Sequence, residues 1–173
     1  VTDSVELLLD PAAHEAVLED WRALEELDLP NQSRHASSSN SPHLTLLAAA
    51  RIDAGYDAGL ASVMLNLPYA LATAGLLLFP TKHRYVLARQ VVPSPDIIQL
   101  HQRVWSVLVA VDRPAPNTAP GRWTPHITLA RGLSAEQVGQ AVAVVARREL
   151  PPLNAVAARR WDSGGKVVVP LAP

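Results

Sequence analysis

Apolar and polar positions along the chain recur in short runs whose period switches between two and about 3.6, with turn-forming clusters between them. Residues 4–9 read as a strand, and Pro11 opens a helix to about residue 27 with apolar positions at Ala16, Val17, Trp21, Leu24 and Leu27. Proline suits a helix start because the amide hydrogen it lacks has no helical partner there. Residues 31–41 form a polar, serine-rich loop that leads to a strand over 43–50, followed by a helix-like segment over 57–65. Residues 74–79 and 85–92 predict a hairpin about a turn at 80–83. Ser94 is placed to cap a helix to about residue 109, with Pro95 behind it. A second polar loop, 112–124, leads to a strand over 126–131, and Ser134 caps a helix to about residue 148. Strands over 154–161 and 166–169 flank a turn at Ser163, Gly164 and Gly165. These elements fall into two similar halves, each with loop, strand and helix in that order. They predict an α+β fold, bilobal, with two pseudo-symmetric halves of mostly antiparallel sheet flanked by outer helices and a central cleft between them.

The two loop-to-strand junctions carry pentapeptides that agree at four of five positions, Pro42-His43-Leu44-Thr45-Leu46 and Pro125-His126-Ile127-Thr128-Leu129, the third being leucine in one and isoleucine in the other. Alternation along a strand puts His43 and Thr45 on one face and Leu44 and Leu46 on the other, and the second copy does the same. Each copy offers an imidazole and a hydroxyl backed by aliphatics. Two imidazoles facing one reacting centre make a general base and a general acid, because histidine titrates close to neutral pH. A single His-x-Thr is usually just a half-exposed strand face. A second copy that agrees in the preceding proline and the following leucine, in a chain with six histidines, is not explained that way.

Composition narrows the chemistry. With no cysteine there is neither a disulfide nor a thiolate nucleophile or ligand. No His-x-His or His-Glu-x-x-His spacing occurs and the carboxylates are scattered, so neither a metal nor any other cofactor is expected. The formal charge of −1 gives no global basic field to hold a long nucleic acid. A nucleic-acid substrate would be gripped locally, at an end or as a small fragment. At 173 residues without a long linker, one domain over 1–173 is expected. No apolar stretch of membrane-spanning length and no basic-then-apolar leader occurs, so the expectation is a soluble, cytoplasmic protein with no membrane association. Nothing points to an obligatory protein partner.

The twin motifs, about 80 residues apart, resemble those of the 2H phosphoesterase superfamily, and within it the RNA 2′,3′-cyclic phosphodiesterase group also called 2′-5′ RNA ligases. The second copy extends to His126-Ile-Thr-Leu-Ala-Arg131, similar to that group's His-x-Thr-Leu-x-Arg. The first copy departs from it, running into Leu47-Ala48-Ala49 with no charged residue. The resemblance implies metal-independent hydrolysis or formation of cyclic or 2′-5′ phosphodiesters, acting on RNA ends or small cyclic nucleotides and yielding a 2′-phosphate. It implies His126 as base, His43 as acid, and Thr45 and Thr128 as hydroxyl donors to the phosphate. Other readings are a related hydrolase of ADP-ribose cyclic phosphate or 2′-5′ oligonucleotides, and a module that keeps the phosphate pocket without turnover.

Arg131 stands five residues after His126, an odd offset, so strict alternation turns it away from the cleft; a bulge at the strand end would re-aim it. Arg122 and Trp123 immediately precede the second motif, and Trp123 could stack on a base. His35, in the loop leading to His43, could cover the cleft. Both loops, 31–41 and 112–124, are expected to be mobile. His14 and His101 read as ordinary surface histidines of helices, His83 as part of a solvated turn, and Phe79, Tyr85 and Trp161 as core.

Overall fold

The computed structural model describes residues 2–34 and 40–172. Among them are nine strands, β1 (Asp3–Leu9), β2 (His43–Arg51), β3 (Tyr69–Leu71), β4 (Thr73–Pro80), β5 (Tyr85–Val91), β6 (Asp112–Pro114), β7 (His126–Leu133), β8 (Leu153–Asp162) and β9 (Val167–Ala172). Four helices join them: α1 (Pro11–Glu26), α2 (Asp57–Val63), α3 (Pro95–Val107) and α4 (Ala135–Val145). Helix starts are set by short polar side chains: Asp10, Ser94 and Ser134 each accept from an amide of the first turn, and Ser134 forms a capping box with Gln137. The expected helix to residue 148 stops at Val145, where the Arg89 guanidinium takes the Val145 and Arg148 carbonyls.

Every strand pair is antiparallel, and the order across the sheet is β3-β8-β1-β2-β7-β5-β4, with β9 beside β8 and β6 beside β2. Leu44, Leu46, Ile127 and Leu129 are fully buried in one apolar core with Leu7, Val17 and Leu24. α1 packs on β1, β7 and β8 and against α4, so the helices cover the face opposite the two histidines. The halves meet where Leu44 lies opposite Ile127. Further along β2 the same edge is taken by β6, at Ala49 and Arg51, so β2 and β7 diverge and a cleft opens between the halves.

Two strands were not legible, β3 and β6, each three residues long and too short to display a period of two. β6 lies in the stretch expected to be a free loop. That stretch is fastened instead: the Ala115 amide donates to the Ala48 carbonyl at 2.7 Å, and the Thr118 carbonyl sits 2.8 Å from His101 Nε2. Among the described residues no helix is long and apolar enough to cross a membrane.

Candidate active site

In an antiparallel ladder partner numbers sum to a constant, so Leu44 opposite Ile127 sets His43 towards Thr128 and Thr45 towards His126. Each histidine therefore faces the threonine of the other copy. This crossed arrangement follows from one register and two matching Pro-His-x-Thr-Leu segments.

The halves also share a defect. On β1 the partners step from Glu6↔Thr45 to Val5↔Leu47, leaving Leu46 as an extra residue. On β5 they step from Ala88↔Thr128 to Leu87↔Ala130, leaving Leu129 extra. These are matching β-bulges, one residue after each threonine, and each reverses the alternation that follows. Arg131, opposite Val86, thereby returns to the face of Thr128 and His126. Ala48 is its counterpart in the first half. A bulge interrupts the ladder locally, and the carbonyls beside it are taken by indoles: Trp21 Nε1 donates to Thr128 O at 3.2 Å, and Trp123 Nε1 to Thr45 O at 3.0 Å.

Both imidazoles are oriented in the same way. His43 Nδ1 lies 2.7 Å from the Ser41 carbonyl, and His126 Nδ1 lies 2.7 Å from the Thr124 carbonyl. A carbonyl only accepts, so Nδ1 carries the hydrogen in each ring and Nε2 is left for proton transfer. Ser41 is further tied to the fold, its hydroxyl 3.3 Å from His14 Nδ1.

What breaks the symmetry is charge. Beside His43, Glu6 Oε1 is 3.6 Å from Nε2, an ion pair whenever that imidazole is protonated. Glu6 is buried and receives hydrogen bonds from Ser4 at 2.6 Å and Arg159 at 2.7 Å. Burial alone would raise its carboxyl, but the charges of His43 and Arg159 with these hydrogen bonds outweigh that and hold it below the ordinary value. The matching position in the second half is Ala88. Beside His126 stands Arg131 instead. Burial, with smaller contributions from Arg131 and His43, holds the His126 imidazole below its ordinary value despite its hydrogen bond to Thr124. Arg131 keeps solvent contact as a residue, yet its guanidinium is partly desolvated, which lowers its proton affinity without discharging it.

Thr45, His126, Arg131, Arg122 and Trp123 line one cavity of about 190 Å³, together with Ala48, Phe79, Asn117, Thr118 and Thr124. His43 and Thr128 lie beside them through the β2–β7 register, and Thr128 is nearly buried. His35 lies outside the described residues. Several sequence readings are corrected by the packing. Phe79 is not core: its ring lies 4.7 Å from that of His126 and walls the cavity. His101 is not a surface residue: it is almost fully buried and stacks on Trp123, centroids 4.1 Å apart and planes 3° apart. One face of Trp123 is thus occupied by protein. Glu6 was missed, although Ser4 and Glu6 alternate with Val5 and Leu7 and so mark a polar face on the neighbouring strand. Asn117 gave no signal.

Residues 9–159 match the model of the 2′-5′ RNA ligase superfamily. No curated protein matches the sequence. Among solved structures, Kluyveromyces marxianus Usb1 is similar at TM-score 0.56 and 12% identity, covering 99% of this chain and 98% of that one. The same protein with uridine monophosphate gives 0.55 and 14%, covering 99% and 98%. Escherichia coli LigT complexed with NADP+ gives 0.51 and 19%, covering 97% of this chain and 92% of that one. At these identities the likeness concerns the fold.

Proposed function

The chain belongs to the 2′-5′ RNA ligase superfamily, the 2H phosphoesterases, and from that premise we propose that it hydrolyses 2′,3′-cyclic phosphates, at RNA ends or in small cyclic nucleotides, to 2′-phosphates without a metal. Ligation forming a 2′-5′ bond is the reverse direction. The observation that carries this reading is the pair of Nδ1-anchored histidines on adjacent strands, one with a carboxylate beside it and the other with an arginine.

His126, held neutral, accepts a proton from water at Nε2 as the water oxygen bonds to phosphorus. The P–O3′ bond breaks, and O3′ takes the proton from Nε2 of His43, whose protonated form Glu6 stabilises. The P–O2′ bond is untouched, so the product is a 2′-phosphate. Solvent then returns one proton from His126 to His43. Thr45 and Thr128 donate hydroxyl hydrogens to the non-bridging oxygens, and Arg131 offsets the charge that builds on them. Among the described residues no three His, Cys, Asp or Glu side chains come together as metal ligands.

In the presence of EDTA, the rate on a 2′,3′-cyclic nucleotide should be bell-shaped in pH. Rate rises as His126 loses its proton, and since that imidazole is held below the ordinary value of about 6.5, the rising half-maximum should fall below it. The falling limb reports the group that must stay protonated to act as acid. Loss of activity on chelation with recovery on adding a divalent ion, or a rising half-maximum above pH 7, would overturn the mechanism.

A further inference from the structure

The two bulges decide which side chains the cavity contains. Strict alternation from His43 and Thr45 would turn Leu47 to the cleft and Ala48 to the core, and from His126 and Thr128 it would turn Ala130 to the cleft and Arg131 to the core. With Leu46 and Leu129 as extra residues the order is reversed: Leu47 and Ala130 are fully buried, while Ala48 and Arg131 line the cavity. A small side chain in one half leaves room, and a guanidinium in the other supplies charge. Whatever holds the bulges holds both in place.

Each bulge is met by one indole N–H. Trp21, on α1 and 3% exposed in the apolar core, donates to Thr128 O at 3.2 Å. Thr128 is nearly buried, so water has little access to replace that donor, and an unmet buried carbonyl favours return to an unbulged ladder. A one-residue slip of that kind turns every following side chain to the other face, and Arg131 leaves the cavity. Trp123 does the same for the first half from the cavity side, its Nε1 3.0 Å from Thr45 O. Its ring plane is set by the parallel stack on His101, whose Nε2 is tied to the Thr118 carbonyl at 2.8 Å. A third tryptophan supplies the contrast. Trp105, on α3, packs against the same core, and its buried Nε1 has no partner among the described residues.

We propose that Trp21 and Trp123 are positioning residues: each indole N–H locks the bulge behind one motif threonine, Trp21 keeping Arg131, and Trp123 keeping Thr45 and Ala48, turned to the cavity. This rests on the phosphodiesterase reading for what the cavity does, and adds two residues that act on it through the main chain. Packing alone would accept any large apolar ring at Trp21; the Thr128 carbonyl requires one that carries a donor.

The test replaces each indole by a phenyl ring, which keeps an apolar ring and deletes the donor. Trp21→Phe should lower kcat/KM for a 2′,3′-cyclic nucleotide about tenfold and weaken the binding of inorganic phosphate by a similar factor, the scale of one hydrogen bond. In an Arg131→Ala background the same change should have almost no effect on either, because the group it positions is gone. Trp123→Phe should behave alike, and lose its effect in a Thr45→Ala background. Trp105→Phe, which deletes a donor that bonds nothing, should match the wild type. Wild-type constants for Trp21→Phe or Trp123→Phe would overturn the proposal. So would losses that simply add to those of Arg131→Ala and Thr45→Ala, since they would mark a general loss of packing. Should Trp21→Phe not fold, the Trp123 and Thr45 cycle decides the matter by itself. Phosphate affinity is read without turnover, so a wild type that binds phosphate yet hydrolyses no cyclic phosphate would remove the phosphodiesterase reading and leave the bulge lock standing on the binding cycles.

Discussion

Replacing His126 by alanine is expected to lower turnover of a 2′,3′-cyclic phosphate by about 10²-fold or more, and His43→Ala by a similar factor, because each removes a positioned proton donor or acceptor. Both side chains are half-buried with Nδ1 held by a backbone carbonyl. Truncation therefore loses chemistry and little packing. The double variant should be only slightly slower than either single one, since a base without its acid has little left to contribute. Thr45→Ala and Thr128→Ala should cost less, each by roughly one hydrogen bond to a charged group, about 1.5–3 kcal/mol. Steady-state kinetics beside circular dichroism decide the matter: a folded His126→Ala or His43→Ala protein with near wild-type turnover would leave only a binding role for the cleft.

The largest effect on stability is expected from Asp20→Ala. Asp20 lies on α1, fully buried, and takes Arg89 Nε at 2.6 Å and Arg148 Nε at 3.0 Å. Arg89 is itself buried on β5, opposite Ile127, and also holds the Val145 and Arg148 carbonyls. One carboxylate thus joins α1, the strand beside His126 and the segment after α4. Removing it strands a guanidinium in the interior, a change that costs about 3–5 kcal/mol in comparable buried pairs. Urea unfolding should show the midpoint falling with little change in slope. A loss under about 1 kcal/mol, the range of an exposed pair, would mean that Arg89 finds another partner.

The site was legible in the sequence to the extent that it repeats. Two Pro-His-x-Thr-Leu segments after two polar loops located both histidine strands and the faces they present, because alternation is a local property. The bulges were not legible. Leu46 and Leu129 are leucines in apolar runs, and only pairing with β1 and β5 reveals them as extra residues. Arg131 therefore stayed undecided until the register was known. Glu6 lies far from His43 in sequence and next to it in the sheet, a relation that no spacing along the chain encodes. Phe79 and His101 were misjudged for a related reason: an aromatic in a strand and a histidine in a helix look alike in sequence whichever neighbour covers them. The helix caps, by contrast, were read correctly at Ser94 and Ser134, since a cap needs only its own first turn.

The central claim is that two unequal His-Thr pairs hold a cyclic phosphate in one orientation, with the leaving oxygen beside His43 and the attacking water beside His126. Phosphorus NMR of the products from a 2′,3′-cyclic phosphate tests it most directly, because the non-enzymatic reaction opens either bridging bond. A single 2′-phosphate is the result expected; a mixture of 2′- and 3′-phosphates, or no hydrolysis of any cyclic phosphate offered, would contradict the claim.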